Sequence, residues 1–464
     1  MNPLSLPEQH GIFWLPDHEE NEVPGRLYCN TSGQLELEVA GSLTGETVDM
    51  DSTKIKRILG ITQRGKPITL DNCFFRNRNI SFPGIGVSKI RINQMYIGAH
   101  FDKDEPIEFE KISFHSTALD EWMKCNPINV AIKNGENKSI HINYSFSASP
   151  KWQLKNGGEL TLDFECLMPQ GWGGREVKIA QKTWISINYN KLLPVNDALS
   201  YIWRFIDFAS FSCDKNLYIE SIRAYRSDIT EPYKESTRMA PIEIFLNLSP
   251  NDDIDFSELS EPFILLKFDD ISDNFGHIIS SWLTNYEKYD STFNLYFATK
   301  SAKGLYLDNR FLMLAQAVES LHRRMSPDST YTTEEYDELS KSLLNSVPEK
   351  YREWVEARLR YGNELNLRSR IKSLFNDYKS IFGGSKKIKS NIDKIVNTRN
   401  YLTHYDNSLK RRSASGDDLY KLCLVLEILL QIHFCKLLEF DNKKIQEIFN
   451  KSQSIIKKKS RILQ

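Results

Sequence analysis

At 464 residues the chain is too long for one ordinary hydrophobic core, and two or three domains are expected. Hydrophobic residues make up 40% and charged residues 26%, which excludes a mostly disordered chain. The net charge is only −1, yet residues 301–464 hold 30 Lys and Arg against 20 Asp and Glu, which leaves 30 against 41 in the first 300 residues. Such asymmetry points to a polyanionic partner for the C-terminal part; mutual attraction of the two parts is the plainer alternative.

Met1 to Gly11 contains no basic segment followed by an apolar run, so no export signal is expected. The longest apolar run, Leu422 to Phe434, carries Glu427 and Gln431 and is too short to span a bilayer. Seven scattered cysteines without a Cys-x-x-Cys pair predict free thiols in a reducing cytoplasm.

Residues 1 to about 190 read as strands and turns. Arg26–Cys29, Gln34–Ala40, Lys89–Tyr96, Ile107–Ser113, Ile128–Ile132 and Glu159–Glu165 alternate or are rich in β-branched and aromatic residues. Turn signals at Thr31-Ser32-Gly33, Asn134-Gly135 and Asn156-Gly157-Gly158 separate them. Strands at this density predict a sandwich or a strongly curved sheet. Gly171-Trp172-Gly173-Gly174 lacks the lysine and the strand-then-helix setting of a phosphate loop and reads as a connection between strands. A helix over Val195–Phe211, strands near Leu217–Ala224 and Phe263–Phe268, and a helix over Phe275–Lys288 follow. They complete the first domain or form a small second one, with a division near residue 190.

From about Leu305 the apolar period becomes helical. Phe311, Leu314, Val318, Leu321 and Met325 line a helix that ends before Ser326-Pro327. Helices are expected at Thr333–Leu344, Pro348–Tyr361 and Leu365–Phe382, the last closed by Gly383-Gly384. Another begins at about Lys389; a loop, Asn407–Gly416, then leads to a long apolar helix, Asp417–Phe440. A final helix carries Lys457, Lys458, Lys459 and Arg461, which suit contacts to nucleic-acid phosphates. The expected class is α+β: a β-rich region with a few helices over residues 1–300, then an all-α bundle of six or seven helices over residues 301–464.

One stretch of the bundle hints at chemistry. Ile388, Ile392, Ile395, Arg399 and Leu402 follow the period of a core-facing helix stripe, so Arg399 occupies a rung where an aliphatic side chain is expected. A guanidinium there is costly unless it is paired or reaches a solvent-filled cleft. His404 follows five residues on. Two plainer readings compete: Arg399 snorkels to the helix edge, and His404 is a helix-end residue favoured by the macrodipole.

No metal signature or Ser/Cys nucleophile motif accompanies the pair, so no cofactor is expected. Arginine with histidine suits metal-free phosphodiester chemistry on RNA. An imidazole, with an unperturbed pKa of about 6.5, moves protons at neutral pH, and a guanidinium holds the charge that builds on phosphoryl oxygens. The nucleophile is the substrate's own 2′-hydroxyl. On a continuous helix, positions five apart lie about 140° from each other, whereas Asn400 and His404 share a face. Either the helix loosens near Asp406 or each site draws on two chains, which would also supply two proton carriers. The apolar helix Leu419–Leu438 is a candidate interface, with burial inside the bundle as its plainer use.

A C-terminal bundle with Arg399-Asn400 and His404 on a late helix resembles the HEPN superfamily, whose motif is an arginine and a histidine with four to six residues between them, commonly with Asn after the Arg. The helix Leu314–Arg324 is similar to the region of the ApeA-type HEPN group that carries an acidic residue near the site, a position that Glu319 matches by helix order. Gly11–Pro16, Pro24–Leu27 and Gly33–Leu37 resemble the opening of the N-terminal domain of ApeA anti-phage proteins. The resemblance implies a metal-independent, cytoplasmic endoribonuclease that arrests growth during phage infection. It also implies a homodimer or higher homo-oligomer acting on RNA, with Arg399 and His404 catalytic, Asn400 supporting them, and a phage-derived trigger. A helical module that dimerises and binds RNA without cutting it is an alternative, as is a ligand- or carbohydrate-binding β domain with a helical adaptor. The charge asymmetry favours a reading that includes RNA.

Overall fold

The structure is a computed structural model. It describes residues 8–464 except 31, 42, 44–53, 80–83, 85, 126, 135–137, 146–147, 156, 168–176, 248–258, 303 and 327–328. Two compact units are present. One comprises Met1–Ala209, Leu217–Leu259 and Lys267–Ser280; the other comprises Ser210–Asn216, Ser260–Leu266 and Ser281–Gln464.

The first unit is built on strands β1 (Gln9–Leu15), β2 (His18–Cys29), β3 (Leu35–Ala40), β4 (Lys54–Thr62), β5 (Pro67–Asn79) and β6 (Val87–Ile97). They run antiparallel in the order β6-β3-β2-β1-β4-β5, and β5 pairs back onto β6, so the six close into a barrel. Alternation fills it: Leu35, Leu37 and Val39 of β3 and Ile90 and Ile92 of β6 point inward with at most 1% exposure. The Phe13 ring lies between Gly60 and Gly25, where an added Cβ would stand 2.5 and 2.8 Å from ring carbons, so neither position admits a side chain without a shift.

The sheet continues beyond the barrel through β7 (Glu108–His115), β10 (Lys151–Gln153), β11 (Glu159–Leu167), β12 (Ala180–Pro194), β13 (Ser221–Tyr225) and β16 (Ile242–Leu246), in the order β10-β11-β12-β7-β13-β16-β6. Two small ribbons lie outside this sheet, β8 (Ile128–Lys133) with β9 (Ser139–Tyr144) and β14 (Thr230–Tyr233) with β15 (Ser236–Met239). Strand β6 joins barrel and extension because one of its edges is shared: residues 87–91 pair with β3 and residues 94–97 with β16, while β5 covers the other edge. Helix α1 (Thr117–Met123) and helix α2, which begins at Val195, pack aromatic side chains on this extension, with Phe114 against Phe205 and Trp122 against Phe208 and Phe268. Of the two expected β architectures, the curved sheet is the one found.

The helices end close to their expected limits, with α2 at Val195–Cys213 and α3 at Phe275–Lys288. The stretch Phe263–Phe268 is not a strand. Short 3-10 turns occupy Glu261–Phe263 and Phe268–Asp270, and the N–H groups of Leu265 and Leu266 both donate to Ser212 O, at 2.8 and 2.9 Å. The Gly171–Gly174 segment lies outside the described residues, as do Thr31, Gly135 and Asn156 of the turn signals.

The second unit holds α4 (Asp290–Ser301), α5 (Leu307–Met325), α6 (Thr333–Ser346), α7 (Glu349–Leu359), α8 (Leu367–Phe375), α9 (Ser385–His404), α10 (Asn407–Lys410), α11 (Gly416–Leu437), α12 (Asn442–Lys451) and α13 (Gln453–Leu463). Helix α11 is its core, with every residue from Leu422 to Cys435 buried. It is thus an interior helix rather than a free interface. Among the described residues no helix is long and apolar enough to cross a membrane, and all seven cysteines carry free thiols.

Glu427 of α11 sits in a buried ionic network. Its carboxylate meets Lys300 Nζ at 2.5 Å, Lys458 Nζ at 2.6 Å and Arg310 Nη2 at 2.9 Å. Asp214 meets the same two lysines at 3.1 and 2.5 Å, and accepts from Gln431 and Ser454. Burial pushes both carboxyls up, but the two ammonium groups outweigh it and hold them below the usual carboxylate range. The expectation for the basic tail is therefore corrected at Lys458, which is turned inward because α13 packs on α11 and places it over two buried carboxylates. Lys457 lies over the Phe263 ring at 4.2 Å, and Arg461 pairs with Asp417 at 3.4 Å.

Candidate active site

Gly383 and Gly384, at φ +80° and +89°, turn the chain into α9, which starts four residues before the sequence period suggests. Ile388, Ile392, Ile395 and Leu402 are buried as expected. The rung between Ile395 and Leu402 is taken by Thr398, at 0% exposure, whose hydroxyl accepts the Ala414 N–H at 2.8 Å. With 3.6 residues per turn, that rung falls between positions 398 and 399, and the smaller side chain takes it. Arg399 is displaced to the flank, with 34% of its side chain exposed.

There it is paired. Arg399 Nη2 lies 3.4 Å from Glu319 Oε2 on α5, and Nη1 lies 3.3 Å from Asn400 Oδ1. The other oxygen of Glu319 meets Arg323 at 3.2 Å, and Arg323 reaches Glu364 at 2.6 Å. Arg370 of α8, 4% exposed, stands 3.6 Å from Glu364 and 3.5 Å from His322 Nδ1, and its Nε donates to Leu365 O at 2.8 Å. Three guanidinium groups thus share two carboxylates, an arrangement with one surplus positive charge that suits a phosphodiester.

Glu319, Arg399 and Asn400 are brought together; His404 is not part of that cluster. Helix α9 is continuous through His404, and only then does Tyr405, in the left-handed region at φ 51°, end it with its N–H on Tyr401 O. His404 is exposed on the last turn, on the Asn400 face and about 140° around the axis from Arg399. Sequence reasoning missed Arg370 and Glu364. The signal at Arg370 is the one used for Arg399: a charge on the apolar face formed with Ile371, Leu374 and Phe375, all of them buried. Glu364, in a connection without periodicity, gave none. Among the described residues no group of three or more His, Cys, Asp or Glu side chains is placed to hold a metal ion.

A helical bundle presenting a paired arginine and, five residues on, a histidine at the end of one helix is that of a HEPN domain, and residues 312–444 match the family Apea-like HEPN. Residues 8–282, more than half of the chain, match ApeA N-terminal domain 1, and the chain belongs to the ApeA family of HEPN defence proteins. No curated protein and no solved structure matches it. The HEPN domain is generally a nuclease fold.

Arg399→Leu tests what the arginine does. Glu319 keeps Arg323 as a partner, so the fold should change in stability by less than about 1 kcal/mol; for a catalytic arginine, RNA cleavage falls by at least about a hundredfold. A melting temperature lowered by several degrees would make Arg399 a structural ion-pair member instead.

Proposed function

We propose that the helical region, residues 301–464, is a metal-independent endoribonuclease that cleaves RNA by attack of the 2′-hydroxyl, and that residues 1–300 sense or restrain it as part of an anti-phage abortive-infection response in the cytoplasm. Arg399 holds the charge that builds on the phosphoryl oxygens, with Glu319 and Asn400 fixing its fork. His404 moves the proton to or from the 2′-hydroxyl and the leaving 5′-oxygen. The observation that carries the reading is the pairing of Arg399 with Glu319 on a helix whose last residue is His404.

The same geometry supports a homodimer. One α9 directs its arginine and its histidine to different sides, so a single chain does not converge them on one phosphate. A two-fold axis that sets the two α9 helices face to face makes one site of both motifs, with the Arg399 of each chain beside the His404 of the other and two imidazoles in it. HEPN domains commonly dimerise and bind RNA. The trigger is expected to be phage-derived.

The test is cleavage of total RNA in excess EDTA by the wild-type chain and by His404→Ala. Cleavage by the wild type alone is expected. Equal cleavage by both, or cleavage abolished by EDTA, would overturn the reading.

A further inference from the structure

Helices α6 and α7 leave the bundle between α5 and α8, and neither buries a single side chain. The excursion is closed at its base. Ser329 and Glu364 form an antiparallel bridge, Thr330 N–H donates to Asn363 O at 2.9 Å, and the Asn363 side chain holds the Tyr331 N–H and C=O at 2.8 and 3.1 Å. The base is also tied to the candidate site, because Glu364 accepts from Arg323, the residue that shares Glu319 with Arg399.

Helix α7 sorts its side chains by chemistry. With Lys350 at zero and 100° per residue, Tyr361, Trp354, Arg358 and Tyr351 fall at about 20°, 40°, 80° and 100°. Arg360 keeps helical angles past the last turn (φ −49°, ψ −35°) and so carries the spiral on to Tyr361. The three acidic residues, Glu349, Glu353 and Glu356, all fall between about 240° and 300°, on the far side. The three rings are 52%, 63% and 67% exposed for Tyr351, Trp354 and Tyr361. Lys350 stands over Tyr351 at 4.6 Å and Arg358 over Trp354 at 4.9 Å.

A stripe of exposed rings with cations beside them and no carboxylate is complementary to a polyanion whose units have π faces. Protein interfaces also favour Tyr, Trp and Arg but are depleted in Lys, which here stands over Tyr351, whereas unpaired bases stack on aromatic rings while their phosphates meet the flanking cations. We infer that the α7 stripe is a stacking platform for unpaired bases of the substrate RNA, mounted beside the cleavage site. Its ligand is single-stranded RNA, a loop or a tail, and not duplex. The inference rests on the nuclease reading for the word substrate, but its test reads binding alone.

The full-length His404→Ala chain, which would hold RNA without turnover, serves as the host. Binding of a fluorescein-labelled oligoadenylate should weaken by about tenfold for each stacked ring removed in Trp354→Ala and Tyr361→Ala. Trp354→Phe should restore most of it, and binding of a duplex RNA should not change. Both positions are exposed, so the melting temperature should stay within about a degree of the host. Unchanged oligoadenylate affinity in the double variant would overturn the proposal. So would a shift of the variants from dimer to monomer in sedimentation with affinity per chain retained, which would assign the stripe to a second copy of this chain. Loss of binding in a protein whose wild type never cleaves RNA would uphold the platform and sink the nuclease reading alone.

Discussion

Replacing His404 by alanine should lower RNA cleavage by about 10²–10⁴-fold, the usual contribution of a positioned general acid or base, and the loss should spread to a wild-type partner. In the proposed shared site an imidazole comes from each chain. Mixing His404→Ala with wild-type chain and allowing subunits to exchange should therefore give heterodimers with activity far below half. Independent sites behave differently: activity would fall in proportion to the mutant fraction, reaching one half at an equal mixture. A linear titration to that value would remove the shared site and leave the ribonuclease assignment standing. The continuous course of α9 through His404 sharpens the expectation, since no loosening of the helix turns the imidazole back toward Arg399.

The second large effect concerns stability. Glu427→Ala should destabilise the helical unit by about 3–5 kcal/mol, because it strands Lys300, Lys458 and Arg310 around a site with one carboxylate left. In a unit of this size that corresponds to a fall in melting temperature of roughly 6–20 °C. Glu427→Gln keeps the volume, so a similar loss in that variant would identify the charge rather than a cavity as the cause. Acid should act in the same way. The folded-state pKa values of Glu427 and Asp214 lie below the usual range, so their contribution is complete above the unfolded-state value of about 4 and is lost as pH falls below it. Lys300 works at the other end. Burial opposes its charge, Asp214 and Glu427 outweigh that, and its raised pKa keeps its contribution whole below the ordinary 10.5 and loses it only above. Guanidinium or urea unfolding across pH 3–8 measures the acid limb; a midpoint that does not move below pH 4 would count against the network.

Much of the helical unit was legible because its cores are written in periods that local sequence displays, as in Phe311, Leu314, Val318 and Leu321 of α5, each at 0% exposure. Helix α4 was not. Its buried face is Thr292, Phe293, Tyr296, Phe297 and Thr299, residue types that favour strands, held helical by tertiary packing of Phe293 on Phe434 with centroids 4.6 Å apart. In the barrel, β4 and β5 escaped for a different reason. Arg57 and Asp71 interrupt the alternation, yet they are a buried pair at 3.0 Å, with Arg57 donating further to Glu105 O at 2.9 Å. Charges that read as surface in one strand are interior when the partner strand supplies the opposite sign. The candidate site divides similarly. Arg399, Asn400 and His404 are close in sequence and were read together, whereas Glu364 and Arg370 join them only through folding of a distant turn.

The shared edge of β6 bears on how copies of the chain can meet. A barrel that returns to its first strand, and an extension that grows from the same strand, leave the described sheet with a single terminal strand, β10, only three residues long. Strand β10 covers only Glu159–Thr161 of β11, so residues 162–167 of β11 have no partner strand on the same side among the described residues. The β8–β9 ribbon adds open edges of its own, with Val130, Ile132, Ile140 and Ile142 exposed on it, so the places where a foreign strand could pair lie on these short elements and not on the barrel. The barrel, closed by the pairing of β5 with β6, offers no edge, and association there is left to side-chain surfaces, where charge and shape can choose the partner and the register.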